Sequence, residues 1–307
     1  MPRLIKPRAL APGAVLGIAA PGGPVDPHKL AAGEALLRNA GFETLRRDDL
    51  LDRCGYLAGD DARRVDEFMG WIDDDRVDGI VCARGGYGCD RILTALDAER
   101  VRAASKPLVG YSDITALLLW QRRCAGLMGF HGPMLDRGDD VDPESIDTLV
   151  ARLCGTADLT QPIRGDAHGG GRAEGRLVGG SLSLVAASIG TTWEVDTRGA
   201  ILLLEDVGER PYRIDRMLQQ LRGAGKFVRL AGVGIGDFSS CRDDRFPESS
   251  VLDVIGDVFR PLGVPFVTAL PFGHVRSNAT WAVGCRATID GDAGSIHIME
   301  QGVKRAA

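Results

Sequence analysis

Lys106–Leu119 reads KPLVGYSDITALLL, a short apolar run that passes directly into a helical pattern. Pro107–Tyr111 has the length and character of a buried strand, and Ile114, Leu117 and Leu118 share one helical face. Ser112 stands at the junction. The same grammar extends upstream. Val77–Ala83 (VDGIVCA) is a strong strand, Val15–Ala19 an earlier one, and Phe42–Arg46 and Leu127–Phe130 are further strands. Between them, Leu30, Leu37 and Ala40 mark a helix that stops at Gly41, and Asp60 or Asp61 caps a second helix running to about Asp74. Strands alternating with helices imply an α/β fold with a parallel sheet covered on both faces.

Beyond this half the pattern changes. Residues 155–172 are polar, carry a glycine triplet and lack periodicity, so they read as a linker between a domain at 1–154 and another at 173–307. A chain of 307 residues is also longer than one compact core usually serves. In the second half, Ala200–Leu204 (AILLL) is an apolar strand, and Ile214, Met217, Leu218 and Leu221 form a packed helix face. Val251, Val254, Ile255 and Val258 repeat that spacing. Short alternating runs at Thr280–Val283, Arg286–Ile289 and Ser295–Met299 suggest a mixed or barrel-like domain.

Composition narrows the function. A net charge of −5 gives no support to a nucleic-acid partner. No stretch approaches the length of a membrane span. The seven cysteines are widely spaced and form no C-x-x-C pair, which suits a reducing compartment. Met1–Ala20 loosely mimics a signal peptide, but Pro12-Gly13 breaks the apolar run and Val15–Ala19 reads as a strand, so the expected location is cytoplasmic. No H-E-x-x-H or other close pair of zinc ligands occurs, and neither a metal nor a cofactor is expected.

Several residues stand where chemistry is usually placed. Ser112 lies at the carboxyl end of a parallel strand and at a helix start, where free N–H groups can hold an anion. The plainer reading makes Ser112 or Asp113 a helix cap. Ala83–Cys89 (ARGGYGC) follows another strand, and its glycines let the backbone approach a ligand. It serves as an oxyanion or phosphate loop, or only as a tight turn. Among five histidines, His28 opens a helix, His168 lies in the linker and His297 faces outward on a strand. His131 (GFHGPM) and His274 (PFGHV) each follow an apolar strand in a turn, and spacing does not separate them. Glu205-Asp206 ends AILLL, delivering a carboxylate on a rigid strand; Glu209 and Asp215 follow, and the cluster could equally favour a helix dipole.

Taken together, GIAAPGG, ARGGYG, GYSDIT, HGPM, RAEGRLVGGSLSL, LLLEDVGERPYRIDRMLQQL and PFGH resemble the LD-carboxypeptidases, also called muramoyltetrapeptide carboxypeptidases, over nearly the whole chain. The resemblance implies a Rossmann-like first domain, a smaller β-rich second domain and a homodimer. It implies Ser112 as nucleophile, Glu205 as the acid, His274 as the base, and an oxyanion hole of backbone N–H groups near Gly86 and Asp113. The substrate it implies is a murein tetrapeptide that loses its terminal D-alanine. Arg84, beside the glycine loop, suits the substrate's terminal carboxylate, and His131 is expected to line the same cleft. Two alternatives remain. A self-immunity peptidase acting on peptidyl-nucleotide antibiotics would want an aromatic platform, and four Trp and four Tyr give no obvious cluster. A non-catalytic peptide-binding module would want an incomplete triad.

Overall fold

The computed structural model describes residues 2–304. In chain order its strands are β1 (Val15–Ala19), β2 (Glu43–Leu45), β3 (Gly79–Cys82), β4 (Leu108–Gly110), β5 (Phe130–His131), β6 (Ile163–Arg164), β7 (Asp166–Ala167), β8 (Arg172–Ser181), β9 (Ala200–Glu205), β10 (Gly232–Ile235), β11 (Phe266–Thr268), β12 (Trp281–Ala282), β13 (Arg286–Asp290) and β14 (Ser295–Ile298). The α-helices are α1 (Pro27–Asn39), α2 (Asp61–Asp73), α3 (Cys89–Ile92), α4 (Ala98–Ala104), α5 (Ile114–Trp120), α6 (Pro143–Leu153), α7 (Leu182–Ala187), α8 (Pro211–Gly223) and α9 (Val251–Phe259). They build two compact units. Of the described residues, 2–157, 276–282 and 301–304 form the first; Asp158–Val275 and Val283–Glu300 form the second.

In the first unit the sheet order is β12-β5-β4-β3-β1-β2, with β1 to β5 parallel and β12 antiparallel on β5. The chain reverses its direction across the sheet between β1 and β3, the kind of switch point where open α/β sheets bind ligands. Leu16, Ile18, Ile80, Val81, Leu108 and Val109 bury the strands on both faces. Local signals behave as their chemistry requires. Asp26 accepts the His28 and Lys29 N–H groups ahead of α1, and Asp60 accepts that of Arg63 ahead of α2.

The second unit is a mixed eight-stranded sheet, β6-β14-β13-β8-β9-β10-β11-β7. Strands β8 to β11 are parallel, joined by crossovers through α7, α8 and α9; the flanking pairs are antiparallel. β6 and β7 lie at opposite ends of the strand order, yet only Gly165 separates them in sequence. One short stretch therefore pairs with β14 through β6 and with β11 through β7, linking the two ends of the strand order.

The polar stretch expected as a linker carries these linking strands from 163 onward. Backbone bonds hold it, such as Gly165 N–H to Gly294 O (2.9 Å) and Gly169 N–H to Gly291 O (2.9 Å), so side-chain pattern gives no sign of them. The stretch 276–282, expected within the second domain, returns to the first unit, where Trp281 pairs with His131 and Ala282 with Phe130. Among the described residues, no helix is long and apolar enough to cross a membrane.

Candidate active site

The loops after β1, β3 and β4 share the carboxyl edge of the first sheet. Ser112 follows β4 with φ of +58°, a left-handed conformation that costs a non-glycine residue about 1–2 kcal/mol. The turn is shaped by its neighbours. A Cβ on Gly85 would fall 2.9 Å from Ser112 Cβ and 3.0 Å from its Oγ, so only glycine lets the β3 loop pass this close.

Neither Ser112 nor Asp113 uses its side chain to cap α5. The first-turn N–H groups of Ile114, Thr115 and Ala116 go instead to the carbonyls of Tyr111, Ser112 and Asp113. Asp113 turns away to accept the N–H of Cys89 at 2.9 Å, tying the glycine loop to the serine turn. Its carboxyl is buried and is pushed above the usual carboxylate range by desolvation, against which the backbone donors pull. Among the described residues, neither the Gly86 N–H nor the Asp113 N–H donates to a protein acceptor. Two backbone donors beside Ser112 are therefore left for an anion.

A second clamp comes from α2. Arg64 is completely buried and donates to Pro21 O (2.5 Å) and Gly88 O (2.8 Å), joining the loops after β1 and β3. It also pairs with Asp61. Glu67, likewise buried, accepts the Ala20 N–H at 2.7 Å and pairs with Arg63 at 2.6 Å. Desolvation raises its pKa from 4.5 to about 7, opposed by Arg63. Sequence reading missed both residues. Their signal was present: 64, 67, 68, 71 and 72 are the buried positions of one helical face, and two of them are charged.

In the second unit, β9 ends in Glu205, completely buried, with Oε2 2.8 Å from His274 Nδ1. Burial raises the Glu205 pKa, while the His274 bond lowers it. The approach again depends on glycine: Gly273 has φ of +108°, and a Cβ there would lie 2.8 Å from Glu205 Oε2. Asp206 serves structure instead, accepting the N–H groups of Ser183 (2.8 Å) and Val207 (2.9 Å). Glu209 pairs with Arg213, and Asp215 accepts from Gln219.

The two histidines that spacing left open now differ. His131 is buried in β5, its ring stacked on Trp281 at 4.9 Å and tilted against Tyr111 at 5.8 Å. It packs a sheet edge rather than lining an open surface. His168 is exposed and bonds Thr268 Oγ1 at 2.7 Å in the second unit. The buried Cys82 and Cys89 thiols are pushed up by desolvation, which keeps them inert. Arg84 is half-buried, with Nη1 on Pro24 O at 2.7 Å and Nε 3.9 Å from Asp136. The expected lack of an aromatic cluster does not hold. Tyr56 and Tyr87 meet edge to face at 5.5 Å, both exposed, beside Arg84 and Gly86.

Residues 16–132 match the LD-carboxypeptidase N-terminal domain, and residues 174–289 match the LD-carboxypeptidase C-terminal domain. The chain belongs to the LD-carboxypeptidase family. Similar family proteins include the murein tetrapeptide carboxypeptidase of Pseudomonas aeruginosa, 35% identical over 255 residues, 78% of this chain and 81% of that one. The muramoyltetrapeptide carboxypeptidase of Oxalobacter formigenes has a solved structure that is 29% identical, with a TM-score of 0.80 over 92% of this chain and 97% of its own. The microcin C7 self-immunity protein of Escherichia coli is 25% identical over 281 residues, 80% of each chain.

Proposed function

We propose that this chain is a serine LD-carboxypeptidase that releases the terminal D-alanine of murein tetrapeptides through an acyl-enzyme. The Glu205–His274 contact at 2.8 Å, formed at the end of a buried strand, carries the reading. An Nδ1–H bonded to a carboxylate leaves Nε2 as the basic nitrogen, the tautomer a serine nucleophile needs. His274 takes the Ser112 proton as Oγ attacks the carbonyl of the L-centre. The Gly86 and Asp113 N–H groups receive the oxyanion, each such donor contributing on the order of 3 kcal/mol. His274 then protonates the departing D-alanine amine, and water releases the tripeptide by the same route in reverse.

The free thiols of all seven cysteines support a cytoplasmic enzyme that recycles murein fragments, and the family resemblance supports a homodimer. Incubation with purified murein tetra- and pentapeptides, read by mass, tests the reaction. Tetrapeptide should lose one D-alanine, and a pentapeptide ending D-Ala-D-Ala should be a poor substrate. An intact tetrapeptide would sink the reading. A second reading, a self-immunity peptidase for peptidyl-nucleotide antibiotics, gains from the Tyr56–Tyr87 pair, since exposed rings can stack on a base. Hydrolysis of an aminoacyl-nucleotide in preference to tetrapeptide would decide for it.

A further inference from the structure

The first unit holds an open cleft of about 560 Å³, lined by Gly23, Pro24, Tyr56, Arg84, Gly86 and Tyr87. Its position links it to chemistry, because Gly86 carries one of the two unbonded N–H groups and the preceding Gly85 touches Ser112. The pocket therefore opens on the same glycine loop that packs against Ser112.

The walls have two characters. Tyr56 and Tyr87 set their rings at 67° to one another, an apolar corner open to solvent. Arg84 supplies a cation whose orientation is fixed, with Nη1 on Pro24 O and Nε facing Asp136, while Nη2 has no hydrogen-bond partner among the described residues. A guanidinium with one free edge suits a carboxylate. In a carboxypeptidase substrate the free carboxylate belongs to the leaving residue.

Size is permissive. D-alanine has six heavy atoms, and at roughly the 30 Å³ a water molecule occupies in liquid it needs about 180 Å³. That is a third of the cleft. The same allowance for D-phenylalanine is about 360 Å³, which still fits.

We propose that Tyr56, Tyr87 and Arg84 form the pocket for the leaving D-amino acid, and that it accepts apolar and aromatic D-residues larger than alanine. Arg84 holds the α-carboxylate and the tyrosines pack the side chain. This rests on the carboxypeptidase reading and extends it to a class of substrate.

The test compares kcat/KM for tetrapeptides ending in D-Ala, D-Met and D-Phe. The two larger residues should be cleaved with kcat/KM no lower than about a tenth of that for D-Ala, since apolar contacts with the tyrosines offset the added bulk. Tyr87→Ala and Tyr56→Ala should each lower the D-Phe to D-Ala ratio by about tenfold. Arg84→Gln should erase a preference of roughly tenfold to a hundredfold for the free acid over the terminal carboxamide. Cleavage of D-Ala peptide with D-Phe excluded, or tyrosine variants that leave the ratio unchanged, would overturn the pocket while sparing the carboxypeptidase. If no peptide is cleaved, calorimetry on Ser112→Ala protein with free D-phenylalanine and its amide decides. Binding that needs Tyr87 and Arg84 upholds the pocket without the reaction. No binding, or tighter binding of adenosine monophosphate, overturns it.

Discussion

The two units hold the side chains proposed for catalysis by opposite means. In the first, Ser112 is a strained residue in a turn, held at φ of +58° by loops that Arg64, Glu67 and Asp113 tie together. In the second, Glu205 is an ordinary strand residue whose backbone bears no strain, and the irregular loop comes to it. Both arrangements end in a glycine pressed against the key side chain, Gly85 on Ser112 and Gly273 on Glu205. A nucleophile needs exposure and an uncommon backbone, so its surroundings must be rigid. An orienting acid needs burial, which a central strand supplies without special devices.

The largest expected effects would break this comparison outright. If the proposed triad holds, Ser112→Ala and His274→Ala should each lower kcat by roughly ten-thousandfold, and the double variant should lose little more, because triad members act as a unit. Steady-state kinetics of the three proteins measures it; additive losses would mean that the two residues work separately. Next come the glycines. Gly85→Ala and Gly273→Ala each force a Cβ into contact at 2.9 Å or less, and displacement of a reacting group costs on the order of a hundredfold. Kinetics of both variants at unchanged secondary structure reads this, and near-normal kcat in either would remove that glycine from the account.

Smaller effects sharpen the contrast. His131→Ala should cost about 2–4 kcal/mol of stability, the usual penalty for emptying a buried site, with KM little changed in the folded protein. A raised KM with unchanged denaturation would restore His131 to the substrate. Ser112→Gly should be inactive yet melt about 2–4 °C higher than Ser112→Ala, as the left-handed strain is released. An equal or lower melting temperature would deny the strain. Finally, the folded chain keeps a proton on Glu67 that the unfolded chain releases between about pH 4.5 and 7. Stability from this group is therefore full below 4.5 and falls as pH rises to about 7. Glu67→Gln should flatten that slope in thermal melts across the window; an unchanged slope would assign it elsewhere.

Much of the first unit was legible because buried parallel strands and amphipathic helices write their periods plainly. Ser112 and Glu205 could be singled out for the same reason: each ends a strand that composition alone defines. His131 and His274 could not be separated, because what distinguishes them is long-range. Trp281, which buries the His131 ring, arrives on a strand remote in sequence, while Glu205 meets His274 through a contact only the fold creates. Tyr56 and Tyr87 were invisible as a pair, since residue counts say nothing about which rings meet. The linking strands β6 and β7 were hidden in a glycine-rich stretch because backbone bonds define them. Arg64 and Glu67 were written in the helical spacing of α2, but charged residues are discounted when a buried face is sought.

The edge strand β12 belongs to the first sheet but is encoded after nearly all of the second unit. On a ribosome adding about 5–20 residues per second, β5 would wait on the order of ten to thirty seconds for its partner. Through that interval the His131 side of the nascent sheet stays unpaired, a surface for a chaperone or for a neighbouring chain on the same message. It also follows that a clone ended at residue 157 would lack that strand, and an isolated first unit would have to carry 276–282 grafted back on.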